Sequence, residues 1–222
     1  LVGGATTVGV STTVALGNPG TVPATVALTV FDENGEVDAR LTSGVLVPAG
    51  SSRVVSLNGY APGRERLTVR VVSTGAAVTA TLGVAHVTEL RSFAVDTATR
   101  QLSPAGTLVI PGIANLSDHQ HGPGDAGELD PFSVLFRVLA PGGQSGTATI
   151  RALFADGSSE ALGEIEYGGN AVAELPIAHW PEEANAVIIT AQDPLVGAAF
   201  GSADRGAEHD YAWFAPEIGR AS

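Results

Sequence analysis

Three observations predict an all-β protein built as two tandem β-sandwiches. Apolar residues recur with a period of two in Val26–Val37 (VALTVFDENGEV), where Val26, Leu28 and Val30 alternate with Ala27, Thr29 and Phe31. No long window carries apolar residues at i, i+3, i+4 and i+7 with caps, so helix signals are nearly absent. The third observation is an apparent repetition. Ile150–Ala161 (IRALFADGSSEA) sets Ile150, Ala152 and Phe154 where Val26, Leu28 and Val30 stand, and Asp156 and Gly157 match Asp32 and Gly35. An apolar strand running into an Asp/Asn/Gly turn is a hairpin signal, and the 28 Gly and 13 Pro punctuate the chain at the rhythm of sandwiches. The predicted fold is two immunoglobulin-like or fibronectin-like sandwiches related by internal duplication, over residues 1–103 and 104–222, the second with an inserted polar loop at 116–131. The 222 residues suit two domains of roughly 100–120 residues each.

In the first half, the alternating Thr, Val and Ala of Ala5–Leu16 predict a strand, closed by the turn Asn18-Pro19-Gly20. The hairpin strand Ala24–Phe31 follows. Val45–Pro48 predicts a short strand with Ser52–Leu57 as its return. After a turn at Tyr60–Gly63, Leu67–Ser73 has Leu67, Val69 and Val71 inward and Arg70 outward, with Ala77–Val84 expected to pair back across Thr74-Gly75. Ser92–Val95 ends the half.

The second half repeats this order. Thr107–Ile110 reads as its first strand, after a join near Thr97–Gly112. Ser133–Leu139 and the turn at Ala140-Pro141-Gly142 match Thr13–Gly17 and Asn18-Pro19-Gly20. Gly163–Tyr167, Val172–Leu175, Ala186–Thr190, Val196–Ser202 and Ala212-Trp213-Phe214 then match the successive strands of the first half. A repeat of about 120 residues suits tandem domains, since solenoid units are shorter.

The net charge is −12 and all 11 basic residues are Arg. Nucleic acid and anionic membrane both need a basic footprint, so neither is an expected partner. Without Cys there is no disulfide framework and no thiolate chemistry. No leader and no transmembrane run stands in the sequence, and residue 1 is not Met. The chain is therefore expected to be a fragment of a longer precursor, with no membrane insertion in the fragment itself.

The run from the Asn-Pro-Gly turn through VALTVFDENGEV, VPAGSSRVVSL and LTVRVVSTGAAVTATL resembles an actinobacterial family of unknown function whose members are often labelled large secreted proteins. ATRQLSPAGTLVIPG and DYAWFAP are similar to that family's passage between halves and to its terminal aromatic strand. The resemblance implies an exported or membrane-anchored envelope protein with tandem sandwiches. It implies no catalytic residues.

Several groups could carry chemistry. In the loop Leu116–Pro131, His119 and His121 would project from one side of an extended segment and could grip one transition metal such as Zn²⁺, with Asp118, Asp125, Glu128 and Asp130 to complete the shell. The same acids could hold Ca²⁺, although no EF-hand spacing is present. The alternative is a solvated loop. Asp32-Glu33-Asn34-Gly35-Glu36 could be a second Ca²⁺ loop, but Asx turn chemistry explains it. Glu164/Glu166 and Glu182/Glu183 lack the facing cleft that paired-acid glycosidase chemistry requires, and no nucleophile elbow or phosphate loop is present. Trp180, Tyr211, Trp213 and Phe214 could form a sugar platform or pack internally. The expectation is a non-catalytic structural or protein-interaction module of the cell envelope, without cofactor, that meets an envelope protein or a glycan. A carbohydrate-binding module and a metal-binding protein or hydrolase using His119 and His121 are the alternatives.

Overall fold

A computed structural model describes residues 1–37, 44–88, 91–97, 104–113, 133–178, 180–181, 183–205 and 208–214. Among them there is no helix, and the all-β expectation holds.

The first half contains β1 (Val2–Gly4), β2 (Val10–Asn18), β3 (Ala24–Asp32), β4 (Gly35–Val37), β5 (Val45–Val47), β6 (Ser51–Ser56), β7 (Leu67–Thr74), β8 (Thr79–Thr88) and β9 (Arg91–Thr97). One sheet runs β1-β7-β3-β4, with β5 also against β3; the other runs β6-β2-β8-β9. Val26, Leu28, Val30 and Val69 of the first sheet share a buried core with Val14, Leu16 and Leu82 of the second. The sheets are therefore two layers over one core.

The second half contains β10 (Ala105–Pro111), β11 (Ser133–Leu139), β12 (Gly146–Phe154), β13 (Ser159–Tyr167), β14 (Ala173–Ile177), β15 (Ala184–Arg205) and β16 (Glu208–Phe214). The long β15 serves both layers. Residues 186–190 lie between β10 and β12, and 196–202 pair with β11. The change of partner falls at Ala191–Leu195, where the β10 register jumps between Ala105 and Thr107. Split there, the pairing orders are β10-β15-β12-β13 and β14-β11-β15-β16, the same sequence of neighbours as in the first half.

Three expectations change. Ala5–Leu16 is not one strand: β2 begins at Val10, and β1 lies ahead of it on the other sheet. Ser51–Ser56 does not return along Val45–Val47. β5 pairs with β3 and β6 with β2, because the Pro48–Gly50 turn, held by Ser51 N–H to Pro48 C=O (3.2 Å) and Gly50 N–H to Gly20 C=O (3.1 Å), carries the chain across the end of the sandwich. Likewise β8 pairs with β2 and β9, not with β7. Alternation reports which side chains face the core, but it is silent on which neighbour completes the ladder.

The crossing after β7 needs its glycine. Gly75 has φ +93°, and a Cβ there would stand 2.7 Å from the Pro23 carbonyl oxygen. Asn18 organises the turn below it. Its side-chain amide donates to the Val22 and Val47 carbonyls at 2.8 and 3.0 Å and accepts from Gly20 N–H at 3.0 Å, all while buried.

Candidate functional site

The two hairpins that resemble each other in sequence share their turn chemistry. Asp32 Oδ1 accepts from Asn34 N–H at 2.7 Å, and Asp156 Oδ1 accepts from Ser158 N–H at 2.8 Å. Each is an Asx turn. They differ in surroundings, for Asp156 is exposed and Asp32 is buried. The second oxygen of Asp32 pairs with Arg64 at 2.8 Å, and its carbonyl accepts from Val172 N–H at 2.8 Å. The first turn is thus built into a seam between the halves.

Arg137 crosses that seam. It interrupts the apolar run SVLFRVL, and alternation turns it away from the core that Phe136 and Val138 enter. Its Nε donates to Glu174, its Nη1 to the Gly4 carbonyl at 3.1 Å and its Nη2 to the Glu65 carbonyl at 3.3 Å. Glu174 also holds Arg66 at 2.6 Å. The guanidinium carbon lies 5.0 Å from the centre of the Phe200 ring. Burial pushes the Arg137 pKa below its ordinary value, and the charge and hydrogen bond of Glu174 oppose that shift. Beside this polar bridge, Phe31, Leu139 and Val172 are buried together, with Val196 packed on them. Burying side chains of this size contributes about 1.5–3 kcal/mol each. The arrangement fixes one half against the other through a charge pair and main-chain hydrogen bonds.

Next to the seam a groove of about 380 Å³ opens along β7, lined by Val71, Ser73, Val78 and Ala80 from the first half and by Leu139 and Pro141 from the second. The hydroxyl of Thr68, also in its lining, is buried and has no hydrogen-bond partner among the described residues.

The residues singled out in the sequence fare differently. Asp118, His119, His121, Asp125, Glu128 and Asp130 lie outside the described residues. Among the described residues, no group of three or more His, Cys, Asp or Glu stands close enough to hold a metal ion. Asp32 has both carboxylate oxygens engaged, as turn chemistry requires. Glu164 and Glu166 are exposed on the outer face of β13, and Glu183 is exposed; Glu182 lies outside the described residues. Trp180 is buried, with its ring centroid 6.4 Å from that of Phe136 and its indole N–H donating to the Ala184 carbonyl at 2.9 Å. It is a core residue and unavailable to a sugar. The side chains of Tyr211, Trp213 and Phe214 lie outside the described residues.

The residues that build the seam, Arg64, Arg66, Arg137 and Glu174, were not apparent as a set. Arg137 carried a signal, a charge inside an apolar strand. Its partners Gly4 and Glu65 sit 133 and 72 positions upstream and Glu174 sits 37 downstream, and only folding brings them together.

No curated protein and no solved structure matches the chain. The model of a family of unknown function, DUF5719, matches residues 1–220, and the protein belongs to that family.

Proposed function

We propose that the protein is a non-catalytic module of an exported cell-envelope protein, made of two immunoglobulin-like sandwiches that arose by duplication and joined into one unit that engages a protein partner. The observation that carries this reading is the Arg137 bridge, which ties β11 and β14 to two main-chain carbonyls of the first half. A rigid pair of sandwiches is a scaffold for presenting surfaces. The matching pairing orders of the halves and their paired Asx turns support the duplication. Among the described acids, Asp32 and Asp156 close turns, and Glu164 and Glu166 lie on an exposed strand face.

A contact surface is available on the outer face of the β1-β7-β3-β4 sheet. Leu46 is 59% exposed and Val72 50% exposed, opposite Thr25 and Ala27 respectively, so small and apolar side chains adjoin there. Protein interfaces favour such uncharged centres. A glycan would need exposed rings; of the four rings considered for it, Trp180 is committed to the core, and the side chains of the other three lie outside the described residues.

A photoreactive residue placed at Leu46 or Val72 in the full-length protein, expressed in its own cells, tests this. A discrete protein adduct in the envelope fraction, lost from the Leu46 position with Val72→Glu, is the expected result. Recovery in the cytoplasmic fraction, or no adduct from either position, would count against the reading.

A further inference from the structure

The groove along β7 has a filled counterpart in the second half. Leu28 faces Val71 across the β3–β7 ladder, and Ala152 faces Val187 across β12–β15. Because Leu28 and Ala152 occupy the same place in the two hairpins, Val71 corresponds to Val187, and Ser73 to Ile189. In the second half β10 lies against this edge, with Leu108 opposite Ile189 and Ile110 opposite Val187. In the first half no described strand lies there. β1 meets β7 only at Thr68 and Leu67, and Leu1 exchanges both main-chain bonds with Val69, at 2.9 and 2.7 Å.

The register continues without a break. Gly112 N–H donates to the Asn185 carbonyl at 2.8 Å, as the Leu1 nitrogen donates to that of Val69. Leu1 therefore stands where Gly112 stands, and Val2 where Ile113 stands; both Val2 and Ile113 are fully buried. Strand periodicity turns the N–H and C=O of Val71 and Ser73 the same way as those of Val69, into the groove. Burial follows the same division. Val187 and Leu195 are buried beneath β10, while Val71 and Val78, at the corresponding places, are only half-buried. Leu108 packs close over Gly197, whose counterpart Ala80 is half-buried.

We propose that the groove is a strand-acceptor site. Its occupant is an extended segment covalently continuous with Leu1, antiparallel to β7, that lays two alternate apolar side chains over Val71, Val78 and Ala80. The ladder groups supply the affinity, as in any strand addition to an open edge. Continuity with Leu1 removes the association cost that a separate peptide would meet. The inference is independent of where in the cell the protein resides.

The test uses the chain's own strand as the probe. A copy of Ala105–Pro111 (AGTLVIP) is fused directly ahead of Leu1, with AGTDVDP as the control fusion. The expected result is a rise of several degrees in the thermal midpoint, and at least about tenfold slower amide exchange at Val71 and Ser73, for the apolar fusion alone. Equal midpoints and unchanged exchange for both fusions would overturn the proposal. Tight binding of the free AGTLVIP peptide, with nothing gained by fusion, would overturn the covalent continuity.

Discussion

Arg137 and Glu174 are direct cross-strand partners in the β11–β14 ladder, and the same guanidinium reaches two carbonyls of the first half. One ion pair thus serves both the second sandwich and the seam. Its neighbours are unequal, for Glu174 is 11% exposed and Arg66 36% exposed. Removing Glu174 leaves the buried Arg137 without its counter-charge, which costs about 3–5 kcal/mol. Glu174→Ala should therefore lower stability by that order in denaturant titration, and Arg66→Ala by about 1 kcal/mol or less. Equal losses would show that Glu174 serves chiefly the exposed partner.

Asn18 satisfies two carbonyls and one N–H around a single turn. Asn18→Ala strands the Val47 carbonyl, whose bond is buried, while the Val22 carbonyl and Gly20 N–H lie nearer the surface, and a buried orphan costs about 1–3 kcal/mol. A loss of about 1–3 kcal/mol is expected in urea unfolding. Asn18→Asp retains the acceptor for Gly20 and loses both donated bonds, so it should rescue little.

Gly75 offers a backbone test. Its φ of +93° and the 2.7 Å approach of the Pro23 carbonyl leave no place for a methyl group. Gly75→Ala should destabilise by about 1–3 kcal/mol, read as a fall in the thermal midpoint. Gly157→Ala has open space around its Cβ and bears only the cost of its φ of +84°. It should be the milder of the two.

Asp32 is expected to behave as a turn residue and not as a calcium ligand. Asp32→Asn preserves the acceptor for Asn34 and loses the pair with Arg64; Asp32→Ala loses both. The order of stability should be wild type, then Asn, then Ala. Calcium should leave the thermal midpoint of Asp32→Asn shifted by the same amount as in wild type, and a shift confined to wild type would overturn the assignment.

A protein made to begin at Leu1 should show a specific pH response. Burial lowers the amine pKa from 8.0 to about 6. The unfolded chain then binds the proton more tightly, so the stability is fully present above pH 8 and is lost as pH falls from 8 to 6. The full effect is about 2–3 kcal/mol. Acetylating the amine should abolish this part of the pH dependence, while the histidine contributions, common to both forms, cancel in the comparison.

The sequence by itself determined the class of fold, most strand positions and the chemistry of the turns. These are local properties. A period of two places Val26, Leu28 and Val30 on one face, and an Asp two residues before an N–H closes its own turn whatever lies elsewhere. The likeness of the two hairpins was legible for the same reason. Only the tertiary structure decided which strands are neighbours, since β6 and β8 leave the strands that precede them for the opposite sheet. It alone gave the two Asx turns different fates, with Asp156 in solvent and Asp32 locked under Arg64. It alone brought Arg137, Glu174, Arg66 and the Gly4 carbonyl together. Those contacts join residues up to 133 positions apart, and no local pattern encodes a separation of that length.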